Sequence, residues 1–397
     1  MLSEPTAQDQ RLHPLEWYRH MRDSAPVSQG PQGRTWQVFR YDDVKRVLSD
    51  YATFSSASIA RAGVDGEPAS PLEASLISTD PPRHRQLRAL VSQAFTPKAV
   101  ADLEPRISSI ANELLDHVAA SGHMDVVDDL AYPLPVIVIA ELLGIPIGDR
   151  ARFKEWSDAI VSGSRSAAMA ARDPQAEMSA YFLRLVAERR RDPRDDLISA
   201  LLAARVDGQH LTELELLGFC VLLLVAGNET TTNLIANAIL CFDDNPEALR
   251  QLYARPELLP NAIEEVLRYS SPVRCMFRTT AAEARIGEHT IGAGQFVIAW
   301  IASANHDPAQ FADPDCFDIA RSPNRHIAFG QGVHFCLGAP LARLEARIAL
   351  TAMLARLRDI KRDHTTALVP LEGTVVAGVR HLPVTFTPDT RTPGPAL

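Results

Sequence analysis

The sequence predicts a mainly α-helical protein with small β-sheets, and two observations carry this prediction. From about residue 84 to residue 250 the chain reads as successive helices, among them DLEPRISSIANELLDHVAASG, PLPVIVIAELLGI and EMSAYFLRLVAERRR. After about residue 272 the pattern changes to β-branched runs with hairpin punctuation, as in ARIGEHTIGAGQFVIAWIASAN, and LVPLEGTVVAGVRHLPVTFTP is similar. Residues 34–55 add a short strand followed by a helix.

Composition narrows the class of protein. Apolar residues are 46% of the 397 residues and charged residues 22%, which is typical of a globular enzyme. The net charge of −9 disfavours wholesale nucleic-acid binding. The polar N-terminus shows no secretory signal, and the longest apolar run, 216–227, is shorter than the ~20 residues of a spanning helix. We expect one cytoplasmic domain over residues 1–397, without membrane insertion.

A long helix from about Leu211 to Cys241 has an unusual centre. Thr212 and Glu215 form a capping-box signature at its start. Its middle, VAGNETTTN, contains a glycine that costs up to about 1 kcal/mol relative to alanine, and three β-branched threonines. Two interpretations stay open. The stretch is a helix crossing with a solvated polar face, or a ligand lies against it, with Gly227 giving room for the ligand.

The stretch AFGQGVHFCLG presents Cys336 at the end of a glycine-rich loop. The five cysteines are scattered and no pair has CxxC spacing, so a disulfide framework or a tetrahedral zinc site is disfavoured. Cys336 is therefore an inert buried residue, a nucleophile that uses a histidine such as His334, a zinc ligand without companions, or the axial thiolate of a haem. A haem needs no second protein ligand, because the porphyrin supplies four nitrogens.

The surroundings of Cys336 favour the haem interpretation. Gly330, Gly332 and Gly338 allow a tight loop, and CLGAPLARLEARIAL then begins a helix with Pro340 in its first turn. The amides and dipole of a helix N-terminus stabilise a thiolate, which is the form that binds a metal.

These motifs together resemble the cytochrome P-450 haem-thiolate monooxygenases. FGQGVHFCLG matches the pattern F-x-x-G-x-[RH]-x-C-x-G, AGNETT resembles the oxygen-activation motif, and EEVLR contains the E-x-x-R pair. FADPDCFDIAR and DPPRHRQLR resemble further segments of the family, and the likeness extends over essentially the whole chain. It implies a triangular helical domain with the haem between the long central helix and the cysteine loop.

The resemblance assigns roles to particular residues. Glu229 and Thr230 would deliver protons as the catalytic pair, and Cys336 would be the axial iron ligand. A buried structural network would join Glu265, Arg268 and Arg321. The other predicted cofactor-binding residues are His84, Arg88, Arg278 and His334 at the haem propionates, with Phe329, Ala226 and Gly227 against the ring.

The resemblance also implies substrate and partners. A mainly apolar molecule, such as a fatty acid, terpenoid, steroid or natural-product scaffold, would be hydroxylated or epoxidised by O2 at haem b. The predicted pocket residues are Val225, Ala226, Val273, Met276 and Val376, with the loop 57–78. No flavin or iron–sulfur segment is present, so electrons from NAD(P)H would arrive through a ferredoxin or flavodoxin and its reductase. We expect a basic docking patch from Arg83, Arg85, Arg343 and Arg347 on a monomer. A haem peroxygenase, a haem-thiolate sensor and a cofactor-free binding protein are the alternatives.

Overall fold

The computed structural model describes residues 11–12, 14–30, 33–57, 70–149, 152–153, 155–156 and 174–388. The chain divides into two compact units. Unit 1 comprises Met1–Phe54, Glu104–Leu134 and Thr230–Leu397, and unit 2 comprises Ser55–Leu103 and Pro135–Glu229. The prediction of one domain over the whole chain stays a prediction.

Helices account for most of the regular structure, as predicted. In chain order they are α1 (Leu15–Ser24), α2 (Tyr41–Ser49), α3 (Arg83–Ala94), α4 (Pro97–Ala101), α5 (Glu104–Val118), α6 (Pro133–Leu142), α7 (Pro174–Arg191), α8 (Leu197–Ala203), α9 (Glu213–Asp244), α10 (Pro246–Ala254), α11 (Leu259–Tyr269), α12 (Ile301–Ala304) and α13 (Ala339–Arg356). The strands are β1 (Val27–Gln29), β2 (Thr35–Val38), β3 (Phe54–Ser55), β4 (His123–Asp125), β5 (Met276–Thr280), β6 (Ala284–Ile286), β7 (His289–Ile291), β8 (Phe296–Ala299), β9 (Leu357–Arg362) and β10 (Pro383–Pro388).

The main sheet has the strand order β1-β2-β8-β5-β3. β2 and β8 are parallel, with Trp36 opposite Val297, whereas β1 pairs with β2 and β5 pairs with β8 in antiparallel fashion. Alternate residues of β2 and β8 are buried, so one face of the sheet packs into an apolar cluster that includes Val44 and Leu48 of α2. The predicted strand–helix of residues 34–55 is thus confirmed.

Two smaller sheets complete the β-structure of the described residues. β6 and β7 form the predicted hairpin, and β4, β10 and β9 form a three-stranded antiparallel sheet. The carboxyl-terminal stretch supplies β10 and two isolated bridges, one of which joins Val273 to Val376. The expectation of small satellite sheets beside a helical body is confirmed.

The long helix α9 is 32 residues long and begins as the capping box predicts. The Glu215 amide donates to Thr212 Oγ1 at 3.2 Å, and the Thr212 amide donates to Glu215 Oε2 at 2.9 Å. Within the described residues α9 is the one helix whose length and composition would suit a membrane span, yet half of its most apolar window is buried inside the protein. That burial is typical of a core helix.

Candidate active site

The loop that carries Cys336 is folded tightly by two glycines. Gly330 and Gly332 have φ angles of 75° and 72°, in the left-handed region that favours glycine. A Cβ on Gly332 would lie 2.8 Å from the Cα of Ser49, so the loop also packs directly against α2. The amide of Cys336 donates to the carbonyl of Phe329 at 2.9 Å, which closes the loop. The sequence-predicted loop geometry is therefore present.

The sulfur of Cys336 lies at the N-terminal end of α13. A Cβ on Gly338, the residue before the helix, would be 3.9 Å from Sγ, and Pro340 occupies the first turn as predicted. The helix dipole favours negative charge at this position. Cys336 is exposed, whereas Cys220 and Cys241 are fully buried and burial raises the pKa of both thiols, for Cys220 to about 12. An inert buried role suits those two cysteines and does not suit Cys336.

The three residues of the predicted ion network come together in unit 1. Glu265 Oε1 accepts from Arg268 Nη2 at 2.8 Å and from Arg321 Nε at 3.1 Å. Glu265 Oε2 accepts from Arg268 Nε at 2.8 Å. Asp318 N and Asn324 Nδ2 donate as well, so this fully buried carboxylate has five donors. The arrangement is a buried ion cluster and not a surface pair.

Arg268 is satisfied as completely as its carboxylate partner. Its remaining N–H groups donate to three backbone carbonyls, those of Asn305 at 3.0 Å, Pro314 at 2.7 Å and Cys316 at 3.0 Å. All five guanidinium N–H groups are therefore used, although the side chain is 0% exposed. Arg268 consequently ties α11 to the irregular segment that leads into the cysteine loop.

The weakened centre of α9 contains three threonines with different surroundings. Thr231 hydrogen-bonds the carboxyl of Glu345, and Thr232 donates to the carbonyl of Ala131 at 3.0 Å. Thr230 is half-buried beside Glu229. Burial raises the pKa of Glu229 to about 7. Glu229 is thus poised to gain or lose a proton near neutral pH, as a general acid–base group must be.

Gly227 has a packing role within unit 2. A Cβ at this position would lie 2.8 Å from Ile139 Cδ1, so the glycine admits α6 against α9. Its neighbour Ala226 is exposed, although it lies in the middle of a long helix. Contact of either residue with a cofactor stays a prediction.

Glu345 is a buried carboxyl that the motifs did not reveal. It lies on α13, is 1% exposed, and its Oε1 has no hydrogen-bond partner. Burial raises its pKa to about 8, although the hydrogen bond from Thr231 acts in the opposite direction. The stretch LEARIAL gave no sign that Glu345 is buried, since an isolated glutamate on a helix is usually solvated.

The proposed propionate ligands lie in both units. His84, fully buried, and Arg88, half-buried, are one turn apart on α3 of unit 2. Arg278 is buried in β5 and His334 is half-buried just before Cys336, both in unit 1. All four bear cationic or N–H groups of the kind that bind carboxylates. Their contact with propionates stays a prediction.

Three of the predicted pocket residues cluster in unit 1. Val273 pairs with Val376 through an isolated bridge, and Val273 and Met276 are partly buried against the cluster beneath the main sheet. Val225, in unit 2, is half-buried on α9. Residues 58–69 of the predicted pocket loop lie outside the described residues.

The predicted basic patch is largely balanced by acids. Arg83 binds Glu215 through two nitrogens at 2.8 and 2.6 Å. Arg343 binds both carboxylate oxygens of Glu264, and Arg347 pairs with Glu104 at 2.8 Å. Arg85 is exposed. The local positive charge is therefore smaller than the count of arginines suggests.

The residues present fit a haem with a thiolate ligand. An exposed thiol at a helix N-terminus is a suitable metal donor, and imidazole and guanidinium groups are suitable partners for propionates. Comparison with known proteins agrees. The family model described as "Cytochrome P450" matches residues 27–185 and 167–379.

Full-length relatives share this assignment. The putative cytochrome P450 YjiB of Bacillus subtilis is 43% identical over 93% of this chain and 92% of its own. The erythromycin C-12 hydroxylase of Saccharopolyspora erythraea is 43% identical over 93% and 94%. The crystal structure of CYP109E1 from Bacillus megaterium in complex with testosterone superposes with a TM-score of 0.85 at 44% identity and covers 94% of this chain and 99% of its own.

The chain therefore belongs to the cytochrome P450 family. It is a monooxygenase that uses haem and O2. The predicted fold class, mainly α with small sheets, is confirmed.

Proposed function

We propose that this cytochrome P450 hydroxylates or epoxidises a steroid-sized apolar scaffold, with Cys336 as the thiolate ligand of haem b. The observation that carries the proposal is the exposed sulfur of Cys336 at the start of α13, within a loop that glycines hold tight. The apolar residues Val273, Met276 and Val376 support an apolar substrate. CYP109E1 binds testosterone, which supports a steroid in particular.

The chain's own residues prepare the site for this chemistry. When bound, haem supplies the reductive activation of O2. Glu229, with a pKa near 7, takes up a proton from solvent and passes it onward. The Thr230 hydroxyl, next along α9, donates and accepts hydrogen bonds and so positions water for that transfer. Ala226, Gly227 and Phe329 would hold the haem ring, and His84, Arg88, Arg278 and His334 would pair with its propionates.

Replacing the sulfur of Cys336 by oxygen tests its assignment as the haem ligand. Cys336→Ser should abolish the thiolate-type carbon monoxide spectrum of the reduced protein and its turnover. Cys316→Ser is the matched control, because Cys316 is also exposed and its thiol has no assigned role. An unchanged spectrum in Cys336→Ser would refute the ligand assignment.

The proton pair is tested by how tightly NADPH consumption is coupled to product formation. Thr230→Ala should raise the NADPH consumed per product several-fold, since water is no longer positioned. Thr232→Ala should retain the coupling, because the Thr232 hydroxyl is buried and donates to the carbonyl of Ala131. Equal coupling in the two variants would contradict the assigned role. Turnover with hydrogen peroxide alone would favour a peroxygenase, and reduction without product from any substrate would favour a sensor.

Testosterone and corticosterone are suitable first ligands, because CYP109E1 has been crystallised with both. Either should convert the haem from low to high spin. A long-chain fatty acid serves as the comparison ligand. A spin-state shift with the fatty acid and none with either steroid would contradict a steroid-sized substrate.

The enzyme is a cytoplasmic monomer of one catalytic domain.

The electron donor is a separate ferredoxin or flavodoxin with an NAD(P)H-dependent reductase. A surface cavity of about 240 Å³ beside the start of α13 supports docking of this partner there. Its lining combines apolar residues with charged ones: Pro260, Ile263, Glu264, Pro340, Arg343, Leu344 and Arg347. Electron transfer should slow as salt rises, and a salt-independent rate would exclude an electrostatic contact.

A further inference from the structure

A second charged cluster lies next to the Glu265 network in unit 1. The neighbouring residue on α11, Glu264, accepts from Arg343 Nε at 2.6 Å and from Arg343 Nη2 at 2.8 Å. His326 Nε2 lies 2.9 Å from Glu264 Oε2. The Ala328 amide donates to His326 Nδ1 at 3.3 Å, so the proton on this ring is assigned to Nε2 and faces the carboxylate. We call Glu264, His326 and Arg343 the clamp.

The clamp joins three segments of the chain around the cysteine loop. Glu264 is on α11, His326 immediately precedes the loop, and Arg343 is on α13, which begins just past Cys336. The His326 side chain is 4% exposed. Burial raises the pKa of Glu264, but the hydrogen bonds from Arg343 and His326 outweigh it and lower that pKa to about 2. The carboxylate is therefore charged at all working pH values.

Arg343 makes a second contact that a docking cation would not need. Its Cζ lies 4.4 Å above the ring centroid of Phe329, which is close for a cation–π contact. The carbonyl of Phe329 accepts the amide of Cys336, so the ring and the sulfur belong to one closed loop. The bidentate pairing with Glu264 fixes the plane of the guanidinium, and the plane fixes the ring beneath it.

We propose that Arg343 is a positioning residue that acts through Phe329, holding the cysteine loop and setting the electrostatic environment of its sulfur. This inference rests on the proposed function, because it takes Cys336 as the haem ligand. The guanidinium of Arg343 is then engaged by Glu264 and Phe329 of its own chain, and its contribution to partner docking is secondary. The guanidinium and the Glu264 carboxylate balance each other, so removal of either charge leaves the other uncompensated near the loop.

The experiment measures the reduction potential of the haem-loaded protein by electrode titration, with no redox partner present. Arg343→Gln should shift the potential to more negative values, because the Glu264 charge disfavours the added electron. Glu264→Gln should shift it in the opposite direction. Loss of packing alone would not give opposite signs. Arg347→Gln is the matched control, since Arg347 lies one turn along α13, is 39% exposed against 36% for Arg343, and pairs with Glu104.

A double-substitution cycle tests the route through the ring. In a Phe329→Leu background, Arg343→Gln should shift the Soret maximum of the reduced carbon monoxide complex by less than half as much as in the parent. Equal shifts in both backgrounds would overturn the proposal, as would identical potentials for Arg343→Gln and Arg347→Gln. If Arg343→Gln does not fold, Arg343→Lys is the substitute variant, because lysine keeps the positive charge but cannot stack a planar guanidinium on Phe329. A spectrum of Arg343→Lys identical to the parent's would overturn the proposal. A parent protein without a thiolate-type spectrum would refute the proposed function instead.

Discussion

Two buried glutamates of unit 1, Glu265 and Glu345, show how differently one side chain behaves under the same burial. Glu265 is 0% exposed and Glu345 is 1% exposed. Glu265 accepts hydrogen bonds from five donors, of which three belong to arginines. Glu345 has a hydrogen bond with Thr231, and its Oε1 has no partner.

The number of donors, and not the depth of burial, therefore decides whether each glutamate is charged. A buried carboxylate is costly unless cations and N–H groups replace its hydration. The two arginines and the amides provide that replacement at Glu265. At Glu345 they are missing, so the pKa rises to about 8 and the carboxyl is mostly protonated at neutral pH.

The largest expected effect is from neutralising the paired glutamate. Glu265→Gln should lower the free energy of unfolding by about 3–5 kcal/mol, because the buried charge of Arg268 loses its counter-ion. Urea unfolding of the haem-loaded protein at pH 6 measures the change, with Glu345→Gln as the control substitution. Comparable losses in the two variants would mean that the two carboxyls do not differ in charge.

A smaller effect, of opposite sign, is expected at Glu345, which has no cationic partner among the described residues. The folded pKa of Glu345 is about 8 against a reference value of 4.5, so its protonated form stabilises the fold fully below pH 4.5, and this contribution is lost as pH rises through 8. The Gln side chain of Glu345→Gln cannot ionise. The free energy of unfolding of this variant, relative to that of the parent, should therefore rise by about 2–4 kcal/mol as the pH goes from 5 to 9. Unfolding curves at both pH values measure this gain, and a difference that is independent of pH would contradict it.

The smallest effect is expected when Thr231, the hydrogen-bond partner of Glu345, is replaced. Thr231→Val deletes the hydrogen bond that lowers the pKa of Glu345, so the pH range over which stability is lost should move upward. Each pH unit of that shift would correspond to about 1.4 kcal/mol in the free energy of unfolding. The same pH series of unfolding measures it. Thr232→Val, which removes the hydrogen bond to the Ala131 carbonyl and keeps Thr231, should leave the midpoint of the pH dependence in place.

Local patterns predicted much of the helical framework. The capping box of α9, the proline-started α13 and the β6–β7 hairpin are set by residues within a few positions of one another, so the sequence predicted them correctly. The cysteine loop is local as well, because glycines at left-handed positions and a following helix define it. The family resemblance then indicated haem and monooxygenase chemistry, which the comparisons confirm.

Long-range contacts explain what the sequence could not predict. The adjacent pair Glu264 and Glu265 gives no sign that one residue joins a clamp with His326 and Arg343 while the other joins Arg268 and Arg321. Three successive threonines likewise look equivalent until Thr231 and Thr232 find different partners.

The sequence by itself determined much of the helical framework, the hairpin, the tight loop around Cys336 and the family, because each depends on residues close in the chain or on a linear motif. Only the tertiary structure decided which buried carboxyls are charged, why Gly227 is a glycine, and that three of the four arginines of the expected basic patch are engaged with acids. The physical reason is that charge state and packing depend on neighbours brought together from distant parts of the chain, whose identity a linear pattern does not record.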